Sequence, residues 1–106
     1  MMDQEEIERM LDQTEIPYSY HNFEVKNAVA PPFICWLIPG TNNFSADNMV
    51  YQRIDELDIE LYTDKKDMEL EKKVEAVLDA HGIFWEKQEI YIESENMYEV
   101  LYEMEV

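Results

Sequence analysis

Two segments of the chain place apolar residues at helical spacing. The first begins at Asp3, an N-cap residue with Glu6 three positions later, and predicts a helix over residues 3–14. The second follows the cap Asp67 and ends at His81-Gly82, because glycine favours the left-handed conformation that closes helices. The apolar positions of the two helices are Ile7, Met10 and Leu11, and Leu70, Val74, Val77 and Leu78.

Other segments have the patterns of strands. Residues 18–25 predict an extended stretch, and the apolar run 33–38, between Pro31-Pro32 and Pro39-Gly40, predicts a strand buried on both faces. Alternating apolar and polar residues predict strands within 49–63, 83–93 and 98–106. Residues 41–47 have turn chemistry and predict a loop. Ile54 is out of phase, which predicts a β-bulge near residues 55–56.

These elements follow one another in the order αβββαββ. This order predicts an α+β fold in which a mostly antiparallel sheet of four to five strands carries two helices on one face. We expect one domain over residues 1–106, because the chain has the size of a single packed core and contains no repeat or low-complexity linker.

Charge is the strongest feature of the composition. The chain has 25 acidic and 8 basic residues, and its net charge is -17. Such a charge repels phosphate backbones and anionic lipid surfaces, so we expect no sequence-specific binding of nucleic acid and no binding to membranes. It favours partners with basic surfaces, although solubility alone also explains it. Two lysine pairs, Lys65-Lys66 and Lys72-Lys73, mark either a contact for an acidic partner or a solvated helix start.

The sequence predicts neither a membrane helix nor a secreted protein. The longest apolar run, residues 33–38, is far shorter than the roughly twenty residues that span a bilayer. The acidic start lacks the positive and then apolar segments of a secretory signal, so we expect a cytoplasmic protein. Cys35 is the single cysteine, lies in an apolar run and is expected to be a buried side chain with no disulfide partner.

We predict no catalytic, cofactor-binding or metal-binding residues. His21 and His81 lack the spacing of a zinc site, and Gly40 and Gly82 form no phosphate-binding loop. No nucleophile lies in a GxSxG-like context. Carboxylates crowd the predicted strands, so close pairs arise by chance, and a solvated strand face is the simpler explanation. We therefore expect no enzyme.

Three stretches, in this order along the chain, carry a family resemblance. They are residues 30–36 (APPFICW) with 43–51 (NFSADNMVY), residues 59–67 (IELYTDKKD), and residues 82–87 (GIFWEK) with 91–100 (YIESENMYEV). Together they resemble the small tail-completion, or tail terminator, proteins of long-tailed phages and prophages of Gram-positive bacteria. The resemblance covers residues 16–104. Trp36 stands where the family more usually has Tyr, which leaves the packing of that strand open.

The resemblance implies a structural protein of virion assembly. Such a protein closes the head-proximal end of the tail tube and joins it to the head connector, within a homo-oligomeric, hexameric ring. Its partners would be the tail tube and head connector proteins, and its place would be the cytoplasm during assembly and then the head–tail junction of the virion. The resemblance brings no catalytic residues.

Residues of the predicted loop and its flank are candidates for contacts between subunits. We select Phe44, Asp47, Asn48 and Tyr51, because this segment is long enough to reach a neighbour, although a local Asx-turn also explains Asp47-Asn48. The predicted strands within residues 49–63 and 97–106 are further candidates for pairing across subunits.

Two other functions compete with virion assembly. The first is a DNA-mimic inhibitor, in which rows of carboxylates take the place of phosphates and occupy a nucleic-acid-binding protein. The second is a hydrolase that uses two carboxylates with raised pKa values in one pocket.

Overall fold

The computed structural model describes residues 2–22, 29–46 and 48–106, and within strands 44–46 and 50–52 it describes the backbone alone. The helices are α1 (Gln4–Asp12) and α2 (Met68–Ala80). A short 3-10 helix spans Glu93–Glu95. The strands are β1 (Tyr18–Tyr20), β2 (Phe33–Leu37), β3 (Phe44–Ala46), β4 (Met49–Gln52), β5 (Glu56–Thr63), β6 (Trp85–Ile92) and β7 (Met97–Glu105).

Five strands form one mixed sheet in the order β1-β2-β5-β7-β6. The pairing of β1 with β2 is parallel, and the other pairings are antiparallel. With α1 and α2, these strands follow the predicted order αβββαββ, so the predicted α+β fold with a mostly antiparallel sheet is confirmed.

The core lies between the two helices and one face of the sheet. Alternate residues of β2, β5 and β7 point to this face, and the strand register places them in rows, such as Trp36 beside Ile59 and Ile59 beside Tyr102. Trp36 is 3% exposed and makes an edge-to-face contact with Tyr20 at 4.8 Å between ring centroids. The buried residues that form this hydrophobic core are Ile7, Met10, Leu11, Ile16, Ile34, Trp36, Leu57, Ile59, Leu61, Val74, Leu78, Val100, Tyr102 and Met104.

The predicted helix caps are confirmed. The Asp3 carboxylate accepts a hydrogen bond from the Glu6 backbone N–H at 2.8 Å, and the Glu6 side chain accepts one from the Asp3 N–H, which completes a capping box. In α2, Asp67 accepts from the Leu70 N–H at 3.0 Å. The helix closes at His81, and Gly82 follows with a φ of 68°.

The segment between β2 and β5 differs from the prediction. The predicted loop over residues 41–47 contains β3, which pairs with β4 so that Ala46 faces Met49. The hairpin closes because its ends are joined: the Asn42 N–H donates to the Ile54 carbonyl at 2.8 Å, and the Ile54 N–H donates to the Asn43 side chain at 3.1 Å. The loop prediction is therefore wrong for this segment.

Two further details are corrected. The predicted bulge at residues 55–56 is wrong, because β5 pairs with β7 in one continuous register from Glu56 to Thr63. Ile54 is out of phase because it lies between β4 and β5 and outside any strand. The first predicted strand is shorter than expected, since β1 ends at Tyr20; residues 23–25 of that prediction lie outside the described residues.

Candidate interaction surfaces

The hairpin β3–β4, which we call the arm, forms a two-stranded sheet separate from the five-stranded sheet. Of the predicted interface residues, Phe44 lies in β3, Tyr51 lies in β4, and Asn48 lies in the connecting turn with a φ of 63°. Asp47 lies outside the described residues. Met49, at the start of β4, is 73% exposed. The structure thus places the described candidates on one small hairpin.

The open face, which is the sheet face opposite the helices, is strongly acidic. Alternate residues of β5 and β7 and one residue of β6 place carboxylates there, while the paired residues of β1, β2, β5, β6 and β7 place no Lys or Arg on it. The apolar and aromatic residues of this face include Phe33 stacked on Tyr62, with 5.0 Å between ring centroids. The carboxylates are Glu56, Asp58, Glu60, Glu86, Glu99, Glu103 and Glu105.

The strand register sets several of these carboxylates directly opposite one another. Asp58 faces Glu103, which in turn faces Glu86 on the next strand, and Glu56 faces Glu105. Like charges in directly opposite positions destabilise a sheet. The hydrogen bonds that they accept here come from neutral groups, such as the Gln88 amide to Glu103 at 2.8 Å. The open face therefore concentrates negative charge that these hydrogen bonds do not neutralise.

Burial and crowding shift the pKa values of two of these groups. Burial, followed by the charges of Glu103 and Glu56, raises the pKa of Asp58 above its ordinary value. Burial and then the charge of Glu99 raise the pKa of Glu60, while the Tyr62 hydroxyl and, with the smallest effect, His21 act in the opposite direction. The charged forms of Asp58 and Glu60 are therefore disfavoured relative to ordinary exposed carboxylates.

On the helix side of the sheet, lysines neutralise the carboxylates. Glu71, 4% exposed, accepts hydrogen bonds from Lys66 at 2.6 Å and from Lys87 at 3.4 Å. Lys66 also pairs with Glu89, and Lys87 pairs with Glu75 at 2.7 Å. The bond to Glu71 is the largest cause of the raised pKa of Lys66, and the bond to Glu75 is the largest cause for Lys87.

The lysine pairs near α2 serve the fold. Lys66 belongs to the network around Glu71, Lys73 binds Glu15 at 3.0 Å, and Lys72 lies 3.7 Å from Glu69. For Lys66, Lys72 and Lys73, these ion pairs support the explanation of the lysine pairs as part of the helix start. Lys66 and Lys87 thus neutralise carboxylates between α2 and the sheet, while Lys72 and Lys73 pair with exposed carboxylates.

Comparisons with protein-family models, with curated proteins and with solved structures found no match to this chain.

A groove of about 720 Å³ lies beside the start of α1 and the base of the arm. Its apolar lining includes Met2, Tyr20 and Trp36, and its polar lining includes Asp3 and Glu6, which form the helix cap. Arg53 and Asp55 line it as well and pair with each other at 3.1 Å. These polar groups already have partners, so the groove offers apolar contact area more than a constellation that would orient a reacting molecule.

The described residues offer no site for a metal ion or a reactive thiol. Among them, no group of three or more His, Cys, Asp or Glu side chains could hold a metal ion. Cys35 is buried on the open face, and burial, helped by Glu60 and Glu99, raises the pKa of its thiol to about 11. The prediction of a buried cysteine is confirmed. No helix in the described part of the chain is long and apolar enough to cross a membrane.

The sequence prediction missed the strand that is exposed at the sheet edge. The main part of residues 49–63 and all of β7 were candidates for pairing across subunits, but β5 and β7 lie inside the sheet and are paired on both sides. The long outer strand is β6. The signal was present in the sequence, because β6 has four consecutive polar residues, Glu86-Lys87-Gln88-Glu89, as edge strands often do.

Proposed function

We propose that this chain is a structural protein of virion assembly that closes the head-proximal end of a phage tail tube and joins it to the head connector, as one subunit of a ring. The arm is the observation that carries this proposal. The arm is a two-stranded sheet separate from the five-stranded sheet, and strands outside the main sheet offer backbone groups that another chain can pair with.

The sequence resemblance supports the same function. One of its stretches, residues 43–51, coincides with most of the arm, and the others include β2, the end of β5 and the β6–β7 hairpin. Ring contacts are head-to-tail, so each subunit needs two different surfaces, one to reach out and one to receive. The arm supplies the first, and the apolar groove at its base is a candidate for the second.

The open face supplies the second property that a tail end requires. Its unneutralised carboxylates repel the phosphates of DNA, so a ring that turned this face to its channel would let the genome pass without binding it. The cost of placing Asp58 opposite Glu103 supports a functional reason, because a sheet selected for stability alone gains by alternating charges.

The test removes the arm and keeps the rest of the domain, which we call the body. Residues 44–52 are replaced by Asn-Gly, a two-residue turn that can join Asn43 to Arg53 above the existing pairing of Thr41 with Asp55. In a phage or inducible prophage that encodes this chain, complementation with this variant should yield separate heads and tails by electron microscopy. Glu69→Gln is the control, because this residue of α2 lies outside the arm and its side chain is 89% exposed, and it should yield joined virions.

Joined virions from the variant without the arm would reject the role of the arm. Separate heads and tails from both variants would count against the role of the arm, because the control leaves the arm intact. Thermal unfolding of each purified variant is measured in parallel. The proposal requires the loss of joining from a variant that remains folded.

The DNA-mimic inhibitor is the second candidate, because the open face also suits it. A mimic acts through its carboxylates, so neutralising Asp58, Glu60 and Glu103 to the corresponding amides should abolish its activity, while removal of the arm should not. The joining function predicts the opposite pair of results in the complementation assay. Binding to the basic partner of a mimic should also fall steeply as salt increases.

A further inference from the structure

One side of β6 has no partner strand among the described residues. β6 is an outer strand of the sheet and is eight residues long, whereas the other outer strand, β1, has three residues. A long strand edge presents a row of backbone N–H and C=O groups that readily bind another extended chain. Phe84 is 80% exposed, and Ile90 and Tyr91 are 46% and 48% exposed, so apolar area accompanies these groups.

We propose that β6 pairs antiparallel with β6 of a second copy of this chain, around a two-fold axis at Gln88. In this register Gln88 faces Gln88, Lys87 faces Glu89, and Trp85 faces Tyr91 of the other copy. The pairing joins two five-stranded sheets into one continuous sheet, with both helical layers on the same side.

Charge selects this register over its neighbours. An axis at Lys87 would set lysine opposite lysine, and an axis at Glu89 would set glutamate opposite glutamate, and both arrangements are unfavourable. With the axis at Gln88, the Lys87–Glu89 contact occurs twice by symmetry and has opposite charges. The charges of β6 thus disfavour the two adjacent registers and favour the axis at Gln88 over them.

The rest of the strand agrees with this alignment. On the open face, Glu86 faces Ile90 of the other copy, so no carboxylate of β6 lies directly opposite another carboxylate of β6. One residue beyond the strand, Phe84 comes opposite Ile92, both apolar. On the helix face, the ion pair of Lys66 with Glu89 would continue to Lys87 of the other copy, which gives a chain of alternating charges.

This inference does not rest on the proposed function. Two-fold pairing brings identical surfaces together, whereas neighbours in a ring meet through two different surfaces. The β6 pair is therefore a contact of the free protein, and either proposal can fail without the other.

A disulfide tests the register directly. In Gln88→Cys the two cysteines face each other across the axis with Cα atoms about 4.5–5.5 Å apart, which a disulfide can span. Glu86→Cys is the matched control: it lies on the same face of the same strand, but its two copies are offset by about 13 Å along the strands. Under mild oxidation we expect a disulfide-linked dimer from Gln88→Cys and little from Glu86→Cys. The native Cys35 is buried and should not compete.

A second pair of variants tests the same register without oxidation. Gln88→Lys keeps a partner in its own chain, because Gln88 already donates to Glu103, but it sets two lysines opposite each other in the dimer. Ile90→Lys adds the same charge two residues away, where it faces Glu86 of the other copy. Sedimentation equilibrium is measured at about 0.5 M NaCl, which screens the long-range repulsion between two acidic chains. We expect Gln88→Lys to weaken dimerisation roughly fivefold or more and Ile90→Lys to preserve it.

Three results would overturn the proposal. The first is a wild-type protein that remains monomeric up to about 1 mM, where even weak pairing becomes detectable. The second is equal disulfide yield from the two cysteine variants, which would indicate random collision. The third is a dimer that Gln88→Lys leaves as tight as the wild type, since that dimer would use another surface.

Discussion

At the scale of single residues, the carboxylates on the two faces of the sheet have different partners. On the helix face, Lys66 and Lys87 hold buried or half-buried carboxylates in ion pairs. On the open face, Asp58 and Glu60 are partly buried and have other carboxylates as their nearest charges, so their pKa values are raised. Two of the eight cations of the chain, Lys66 and Lys87, neutralise carboxylates on the core side. The negative charge that remains is left on one surface.

Neutralising Asp58 should stabilise the protein at pH 7. Asp58→Asn removes the repulsion from Glu103 and the cost of burying a charge, and we expect a gain of about 0.5 kcal/mol in the free energy of unfolding. Chemical denaturation of the two proteins measures it. Asp64→Asn, in the exposed turn before α2, removes the same charge and controls for net charge. Equal effects of the two substitutions would contradict a local cause.

The same substitution has a defined pH dependence. The folded protein binds the proton of Asp58 at a higher pH than the unfolded chain does, because its pKa is raised in the folded state. The wild type therefore loses stability as pH rises through this raised pKa, and the variant does not. The advantage of Asp58→Asn should be full above the raised pKa and should vanish below the ordinary aspartate pKa of about 3.9. An advantage that persisted at pH 3 would exclude this mechanism.

Glu71 should be the carboxylate whose loss costs most on the helix face. It is 4% exposed and accepts hydrogen bonds from two lysines, so Glu71→Gln should lower the free energy of unfolding by about 2 kcal/mol. Glu69→Gln makes the same chemical change in the same turn of α2, where the side chain is 89% exposed, and should cost less than about 0.5 kcal/mol. Equal costs in urea denaturation would show that the network contributes nothing specific.

At the scale of elements, the sequence predicts the helices and strands whose apolar residues recur at a regular period and form one buried face. The helix α2 and the strands β5 and β7 each have apolar residues at the period of their element, because one side of each contacts the core. The arm forms a sheet of its own, and its sequence contains turn residues such as Asn48 and places no apolar residues at a regular period. Phe44 and Tyr51 were selected as interface candidates, but pattern alone could not place them on paired strands.

The order of strands in the sheet was not predictable from these patterns. Alternation shows which residues of β6 and β7 share a face, but it does not show which of the two strands joins β5. The polar run from Glu86 to Glu89 carried that information, since a strand paired on both sides seldom has charges at successive positions. Alternation in the sequence likewise predicts that carboxylates share one face of a strand. That carboxylates of neighbouring strands lie directly opposite one another follows only from the strand register.

Removing the arm should leave the body folded. The arm forms a sheet separate from the five-stranded sheet that covers the core, and the base of the hairpin is closed by hydrogen bonds of residues 42, 43 and 54. The variant with Asn-Gly in place of residues 44–52 should match the wild type within about 1 kcal/mol in its free energy of unfolding. Circular dichroism during thermal unfolding measures this. A loss of cooperative unfolding would show that the arm is part of the domain.

At the scale of the whole molecule, the shape is extended for the chain length. The protein measures 49 × 28 × 24 Å, and its radius of gyration is 14.9 Å, whereas a compact domain of this size has about 13 Å. A body with a separate arm suits these dimensions. A net charge of -17 on this chain also implies that parts of the molecule repel one another.

Salt should therefore stabilise this protein. Raising NaCl from about 0.02 to 0.5 M shortens the range of charge interactions to a few ångströms, which weakens the repulsion summed over the whole surface. It also weakens ion pairs, but exposed pairs such as Lys72–Glu69 contribute at most about 1 kcal/mol each, and Glu71 is shielded by burial. We expect a net gain of about 1 kcal/mol in the free energy of unfolding, or roughly 4–8 °C in Tm.

The protein with Asp58, Glu60 and Glu103 replaced by amides should respond less to salt, since part of the repulsion is already gone. A Tm that falls with added NaCl would show that ion pairs, and not repulsion, dominate the electrostatics of the fold.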